Sequence, residues 1–193
     1  MPNGDLRAMC RADNARVRMT IPDPALVLLI GPSGAGKSTF AERHFSATEI
    51  VSSDATRAML SDDPADQEAS AEAFQVLALI VNGRLRRRLT TVVDATNLRA
   101  ANRKQYRTLA ARYGVPAIAI AFDLPLAAYR ERNARRSGRV VEDFVVEEQA
   151  ARMPQALTEL AGEGYAAVYV LDAGAQGDVL QRIRAGRSSP KER

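Results

Sequence analysis

The sequence predicts a single α/β domain built on a parallel sheet with helices on both faces. Three observations lead there. Short apolar runs alternate with helical stretches along most of the chain. The run Ala25-Leu26-Val27-Leu28-Leu29-Ile30 is continuously apolar, as a central strand buried on both faces should be. Directly after it comes Gly31 to Thr39, GPSGAGKST, which leads into Phe40-Ala41-Glu42-Arg43. At 193 residues and 46% hydrophobic, the chain can bury one substantial core.

The elements follow in order from local signals. Met1 to Arg18 carries Arg7, Arg11, Arg16 and Arg18 without an apolar stretch. It does not read as a secretory signal, so residues 1–20 are expected to be a basic flexible leader before a domain over residues 21–186. Pro22 and Pro24 bracket the entry to the first strand, Ala25 to Ile30. A first helix is expected from Lys37 to His44; His44, the only histidine, reads as a packed or solvated residue. Glu49 to Ser52 is a short second strand, followed by Ser53-Asp54 and a short helix over Ala55 to Leu60. The acidic stretch Ser61 to Asp66, with Pro64, makes a loop. Over Gln67 to Leu89, the residues Ala73, Phe74, Leu77, Ile80 and Val81 recur at helical spacing and are the expected buried stripe. The basic end Arg84-Leu85-Arg86-Arg87-Arg88 suits a helix C-terminus. Thr90 to Asp94 is the third strand, Leu98 to Tyr113 a helix stopped by Gly114, and Pro116 to Phe122 the fourth strand, with Asp123 at its end. Pro125 opens a helix broken at Ser137-Gly138. Val141 to Leu160 is helical with a break near Pro154. Ala166 to Leu171 is the fifth strand, Asp178 to Ala185 a last helix, and residues 187–193 a polar tail.

Composition narrows the setting. A formal charge of +4, carried mostly by arginine, suits phosphate-bearing partners. Cys10 is the only cysteine, so an internal disulfide is excluded and a reducing, cytoplasmic setting is expected. No apolar run reaches the roughly 18 residues of a membrane span, so no membrane partner is expected.

GPSGAGKST fits the phosphate-loop pattern G-x-x-x-x-G-K-[ST] through Gly31, Gly36, Lys37 and Ser38. Glycines let backbone N–H groups turn around phosphate oxygens, and the following helix adds unpaired N–H groups and a positive dipole end. Gly31, Ser33, Gly34, Ala35, Gly36, Lys37, Ser38 and Thr39 form the candidate nucleotide site. In such loops the lysine reaches the β- and γ-phosphates of ATP and the hydroxyl ligates Mg²⁺. In parallel α/β sheets ligands sit beyond the C-terminal strand ends, where Gly31, Asp54, Asp94 and Asp123 all fall. Asp54 is the candidate base, aiming an attacking hydroxyl at the γ-phosphorus; its structural alternative is the cap of a helix beginning near Ala55. Arg57, one turn on, either holds an acceptor phosphate or pairs with Asp54. Asp94 stands where P-loop proteins place the acid of the metal's water shell. Asn97 reads as the cap of the next helix, with substrate binding as the alternative. Arg132, Arg135, Arg136 and Arg139 have i, i+3, i+4, i+7 spacing and would share one face of a continuous helix. Like charges so placed are explained by anions, and the cluster reads as a lid over a triphosphate.

The stretches GPSGAGKSTFAERHF, VSSDATR, TVVDATN, FDLP and RERNARR, in that order, resemble the 5′-hydroxyl polynucleotide kinase family, and most the kinase domain of bacterial RNA end-healing enzymes. The resemblance covers the chain from about Ala25 to Leu171. It implies a P-loop kinase sheet of strand order 2-3-1-4-5. It implies ATP and Mg²⁺ on Lys37 and Ser38, Asp54 as general base, Arg57 on an acceptor phosphate, and Arg132 and Arg136 as lid arginines on the donor phosphates. The implied acceptor is a nucleic-acid 5′-hydroxyl end, RNA or DNA. The bacterial end-healing enzymes carry phosphatase and nucleotidyltransferase modules after the kinase. This chain stops, so the expectation is a stand-alone kinase or one with separate end-repair proteins. Rival readings are a small-molecule, nucleotide-sugar or toxin-like kinase and a nucleotide-binding regulatory module.

Overall fold

The computed structural model describes residues 9–11, 18–136, 139–172 and 179–184. At its centre lies β3 (Leu26–Ile30), all five residues of which are buried. Its side chains alternate between two apolar layers. Val27 and Leu29 join Ile118, Ile120 and Phe122 on one face, whereas Leu26, Leu28 and Ile30 join Val93, Ala119 and Val170 on the other. β3 pairs in parallel with β5 (Thr91–Asp94) and β6 (Ala117–Phe122). β4 (Ile50–Ser52) lies outside β5, and β7 (Ala167–Leu171) outside β6. The five strands anticipated from sequence therefore stand in the order 2-3-1-4-5. Helices α1 (Lys37–His44), α5 (Leu126–Ala134) and α6 (Asp143–Ala151) cover the first face through Phe40, Tyr129 and Val146. Helices α3 (Ser70–Arg86), α4 (Ala100–Arg112) and α7 (Met153–Leu160) cover the second through Leu77, Tyr106 and Ala156. The short α2 (Ser53–Ser61) follows β4 directly. Among the described residues no helix is long and apolar enough to cross a membrane.

Several stretches differ from expectation. Within the leader, β1 (Met9–Arg11) pairs in parallel with the outer edge of β7, and β2 (Arg18–Asp23) begins before residue 20. The open edge of β7 offers backbone groups that an extended segment can pair, and three residues are too few to leave a periodic signal. Met19 and Ile21 are fully buried in the core, so the packed body starts ahead of residue 21. The segment expected to be helical from Asp178 to Ala185 is instead β8 (Val179–Arg184), parallel to β2. Val179, Leu180 and Ile183 fit a helical face, but so short a run does not fix the period, and pairing with β2 decides. Arg182 reinforces that pairing through Glu49 at 2.7 Å and Asp23 at 3.2 Å. Tyr169 fastens β2 to β7: its hydroxyl accepts from the Thr20 N–H at 3.0 Å and donates to the Thr20 carbonyl at 2.9 Å. On α3 the buried row is Ala73, Leu77, Val81 and Leu85, an i, i+4 series; Phe74 is half-buried and Ile80 exposed. The Ser137-Gly138 break and the tail after residue 186 lie outside the described residues.

One buried cation ties the second layer to the end of β5. Arg103 is fully buried, and its Nη1 donates to the carbonyls of Asn97 at 3.0 Å and Leu98 at 2.8 Å. Its Nη2 donates to Glu159 at 2.7 Å and Glu163 at 2.5 Å, beyond the other end of the same side chain. A guanidinium whose donors are all met by acceptors can stay charged in the interior; removing it strands two carboxylates and two carbonyls. Arg103→Met should lower the unfolding free energy by about 3–5 kcal/mol in a urea titration. A loss below about 1 kcal/mol would place this pair with ordinary surface ion pairs.

Candidate active site

Between β3 and α1 the chain turns so that the N-terminus of α1 opens onto the loop. Gly36 caps α1 at φ 91° and Gly34 sits at φ 79°, left-handed values that glycine adopts without strain. Gly34 is also required by space. A Cβ there would lie well inside contact distance of the Tyr129 carbonyl and 3.0 Å from the Asn133 nitrogen. The loop therefore rests directly on α5. Lys37 is buried, and its Nζ donates to the carbonyls of Gly31 at 2.9 Å and Pro32 at 2.8 Å. Gly31 thus acts on the site through its carbonyl and does not itself line the cleft. The Ser33 N–H donates to Gln149 Oε1 at 2.8 Å, which brings α6 to the loop.

The loop forms one wall of a cleft of about 730 Å³. Residues 33–39 line it together with Asp54, Arg57, Asp94, Arg132 and Arg136, so the candidates from distant parts of the sequence converge. Asp123 and Asn97 stay outside it, and Asp172, just past β7, lines it instead. Lys37, Arg43, Arg57, Arg132, Arg136 and Arg139 face it against Asp54, Asp94 and Asp172, which makes it a cationic cleft suited to anions. His44 also lines it, its ring packed 4.5 Å from that of Phe40.

Asp54 does not cap α2. Ser52 does, its hydroxyl accepting from the Ala55 N–H at 3.4 Å. Asp54 lies in the first turn and lines the cleft. Arg57 pairs with its Oδ1, Arg139 Nη1 reaches the same oxygen at 3.3 Å, and Arg136 Nη2 lies 4.0 Å from Oδ2. Arg57 is itself fixed, for its Nε donates to the Pro64 carbonyl at 2.9 Å.

The arginine cluster is not one helical face. α5 ends at Ala134, because the buried Asn133 amide captures both backbone groups of Val141, at 2.7 and 3.1 Å, and turns the chain back. Arg132 stays on the helix with Nη1 3.4 Å from the Ala35 carbonyl. Arg135 points to solvent and pairs with Glu131. Arg136 and Arg139, beyond the end of α5, both reach Asp54. Asn97 is no helix cap either. At φ 49° it is buried and donates to the Leu29 carbonyl at 2.8 Å, tying the ends of β3 and β5 together. Gln149 and the role of Arg139 are not signalled in sequence, since each depends on a partner far along the chain.

Burial acts on two charges at the base of the loop. It lowers Lys37 from 10.5 to about 8, partly offset by the nearby Asp94 carboxylate. It raises Asp94, partly offset by Lys37 and by a hydrogen bond with Ser38. The Ser38 hydroxyl and the Asp94 carboxylate are oxygen donors side by side, the set a Mg²⁺ ion accepts when phosphates complete its shell. Between pH 8 and 10.5 the unfolded lysine binds a proton that the folded one has lost, so the contribution of Lys37 to stability rises with pH across that window. Below it both states are protonated, and the buried charge carries its full cost. Relative to Lys37→Met, the wild type should gain stability from about pH 8 to pH 10 in chemical denaturation. A difference that stays flat across this range would contradict the depressed lysine.

The AAA_33 family, an AAA domain, matches residues 26–160. No curated protein matches the chain. A chain of the Pnkp1/Rnl/Hen1 RNA repair complex superposes with a TM-score of 0.59 at 22% identity, over 70% of this chain. The match spans 46% of that longer chain. An unliganded sugar kinase from Janibacter sp. HTCC2649 superposes with a TM-score of 0.50 at 17% identity, over 83% of this chain and 85% of that one. AvrRxo1-ORF1:AvrRxo1-ORF2 with ATP gives 0.59 at 16% identity, over 78% and 55%. At these identities the likeness is one of fold. The chain belongs to the AAA_33 family of AAA domains, and its fold is that of the P-loop kinases.

Proposed function

We propose that this protein is an ATP-dependent kinase that transfers the γ-phosphoryl group to the 5′-hydroxyl end of RNA or DNA. The observation that carries the reading is the position of Asp54, which shares one cleft with the phosphate loop, Arg132 and Arg136. In-line transfer to an alcohol needs a phosphate cradle, a proton acceptor and cations on the migrating group.

In the proposed reaction Lys37 binds the β- and γ-phosphates, and Arg132 and Arg136 hold the γ-phosphoryl oxygens. The acceptor hydroxyl passes its proton to Asp54 as its oxygen bonds to the γ-phosphorus. The bond to the β–γ bridging oxygen breaks, and ADP leaves with that electron pair. Ser38 and Asp94 would hold Mg²⁺, which when bound supplies charge neutralisation on the phosphates. The buried Arg57 would take the first phosphate of the strand. The similar chain in the RNA repair complex is found with other proteins, which supports separate end-repair proteins as partners. A small-molecule alcohol is the second reading of the acceptor, because a sugar kinase of comparable length shares the fold.

With γ-labelled ATP, a 5′-hydroxyl oligonucleotide should acquire label at its 5′ end. Asp54→Asn should slow this by about a hundredfold or more while nucleotide binding persists, because the amide is a poor proton acceptor. Label on small alcohols and none on the oligonucleotide would favour the second reading. An Asp54→Asn enzyme at full rate would remove Asp54 as the base.

A further inference from the structure

The charges around Asp54 do not balance. One carboxylate faces Arg57, Arg136 and Arg139, and two of these guanidiniums share its Oδ1. The proposed donor triphosphate accounts for Arg136. Arg57 and Arg139 then remain, both mostly buried, with side chains 5% and 18% exposed. Two guanidiniums so close together repel, and they share the Asp54 carboxylate, with Asp66 also acting on Arg57. In the same cleft the Ser70 hydroxyl is buried and makes no hydrogen bond, a donor without an acceptor. A phosphate between Arg57 and Arg139 would satisfy both guanidiniums, since it offers several acceptor oxygens and suits the planar fork.

The arrangement also bears on Asp54 as a base. An Oδ1 already taken by two guanidiniums leaves little room for an alcohol's hydrogen bond. A phosphate arriving between Arg57 and Arg139 takes over their N–H groups and frees that oxygen. Resting on the proposed 5′-kinase reading, we infer that Arg139 is a specificity-determining residue: with Arg57 it masks Asp54 until a phosphate carried by the acceptor takes its guanidinium. The acceptor is then an alcohol with a phosphate on the same sugar, and a neutral alcohol meets a masked base. Arg139 selects through the rate of transfer as well as through binding.

Uridine and uridine 3′-phosphate differ in that phosphate alone and are suitable probe acceptors. In the wild type, uridine 3′-phosphate should be the better acceptor by at least about tenfold in kcat/KM. Arg139→Ala should lower kcat/KM for uridine 3′-phosphate by a similar factor and leave the KM for ATP unchanged. It should raise, or at least not lower, kcat with uridine, because the base is unmasked. Arg139→Lys should restore only part of the preference, for it keeps the charge without the fork. Equal losses with both acceptors would mark Arg139 as merely structural and overturn the inference. Equilibrium binding of the same two probes, with a non-hydrolysable ATP analogue filling the donor site, separates the two proposals. A phosphate preference that Arg139→Ala abolishes, in a protein that fails to label any oligonucleotide, would sink the polynucleotide acceptor and keep the anion site. No phosphate preference in the wild type would sink the anion site, whatever the turnover.

Discussion

The missing side chain at Gly34 is the constraint on which the site depends. Because nothing projects there, the phosphate loop lies against the backbone of Tyr129 and Asn133. That contact sets α5 beside the loop, with Arg132 over the Ala35 carbonyl. From the same turn of α5, Asn133 holds Val141, and Arg136 and Arg139, which lie between them in sequence, reach Asp54. Tyr129 anchors the other end, its hydroxyl donating to the Phe122 carbonyl and accepting from the Leu124 N–H, each at 2.8 Å. One helix thus touches the loop and carries Arg132, and its end leads to the arginines that reach the carboxylate. A Cβ at position 34 would have to push α5 away, since the obstructing atoms are backbone and cannot rotate aside.

The sheet was readable from sequence because its physics is local. A strand buried on both faces must be apolar throughout, and Leu26 to Ile30 has no other use. Lys37 and Ser38 were readable because the loop demands glycine at fixed spacing before them. Asp54 and Asp94 followed from their positions at strand ends. The convergence of Arg136 and Arg139 on Asp54 was not readable as drawn: spacing suggested a continuous helix, whereas the Asn133–Val141 pairing, eight residues apart, bends the chain. Asn97 looked like a helix cap because Asn often is one, yet the Leu29 carbonyl, 68 positions away, claims its amide. Strands β1 and β8 gain their identity from partner edges, and such pairing leaves little trace in segments of three and six residues.

The site also shows how charge is arranged for anions. Lys37 and Asp94 are buried together, and each makes the burial of the other less costly. Around Asp54 the balance runs the other way, with more cation than one carboxylate can match. The first pair belongs to the loop that would hold the donor, and the second cluster to the place where an acceptor would meet it. Each group pairs cations with a carboxylate, Asp94 in the first and Asp54 in the second, and the proposed transfer would run between them.

The most direct measurement is a crystal structure with a non-hydrolysable ATP analogue and a 5′-hydroxyl oligonucleotide bound together. The account predicts the 5′ oxygen within hydrogen-bond reach of Asp54, about 2.6–3.2 Å, and in line with the γ-phosphorus. Arg57 and Arg139 should have moved from the carboxylate to the first phosphate of the strand. A 5′ end bound away from Asp54, with the carboxylate still held by both arginines, would contradict it.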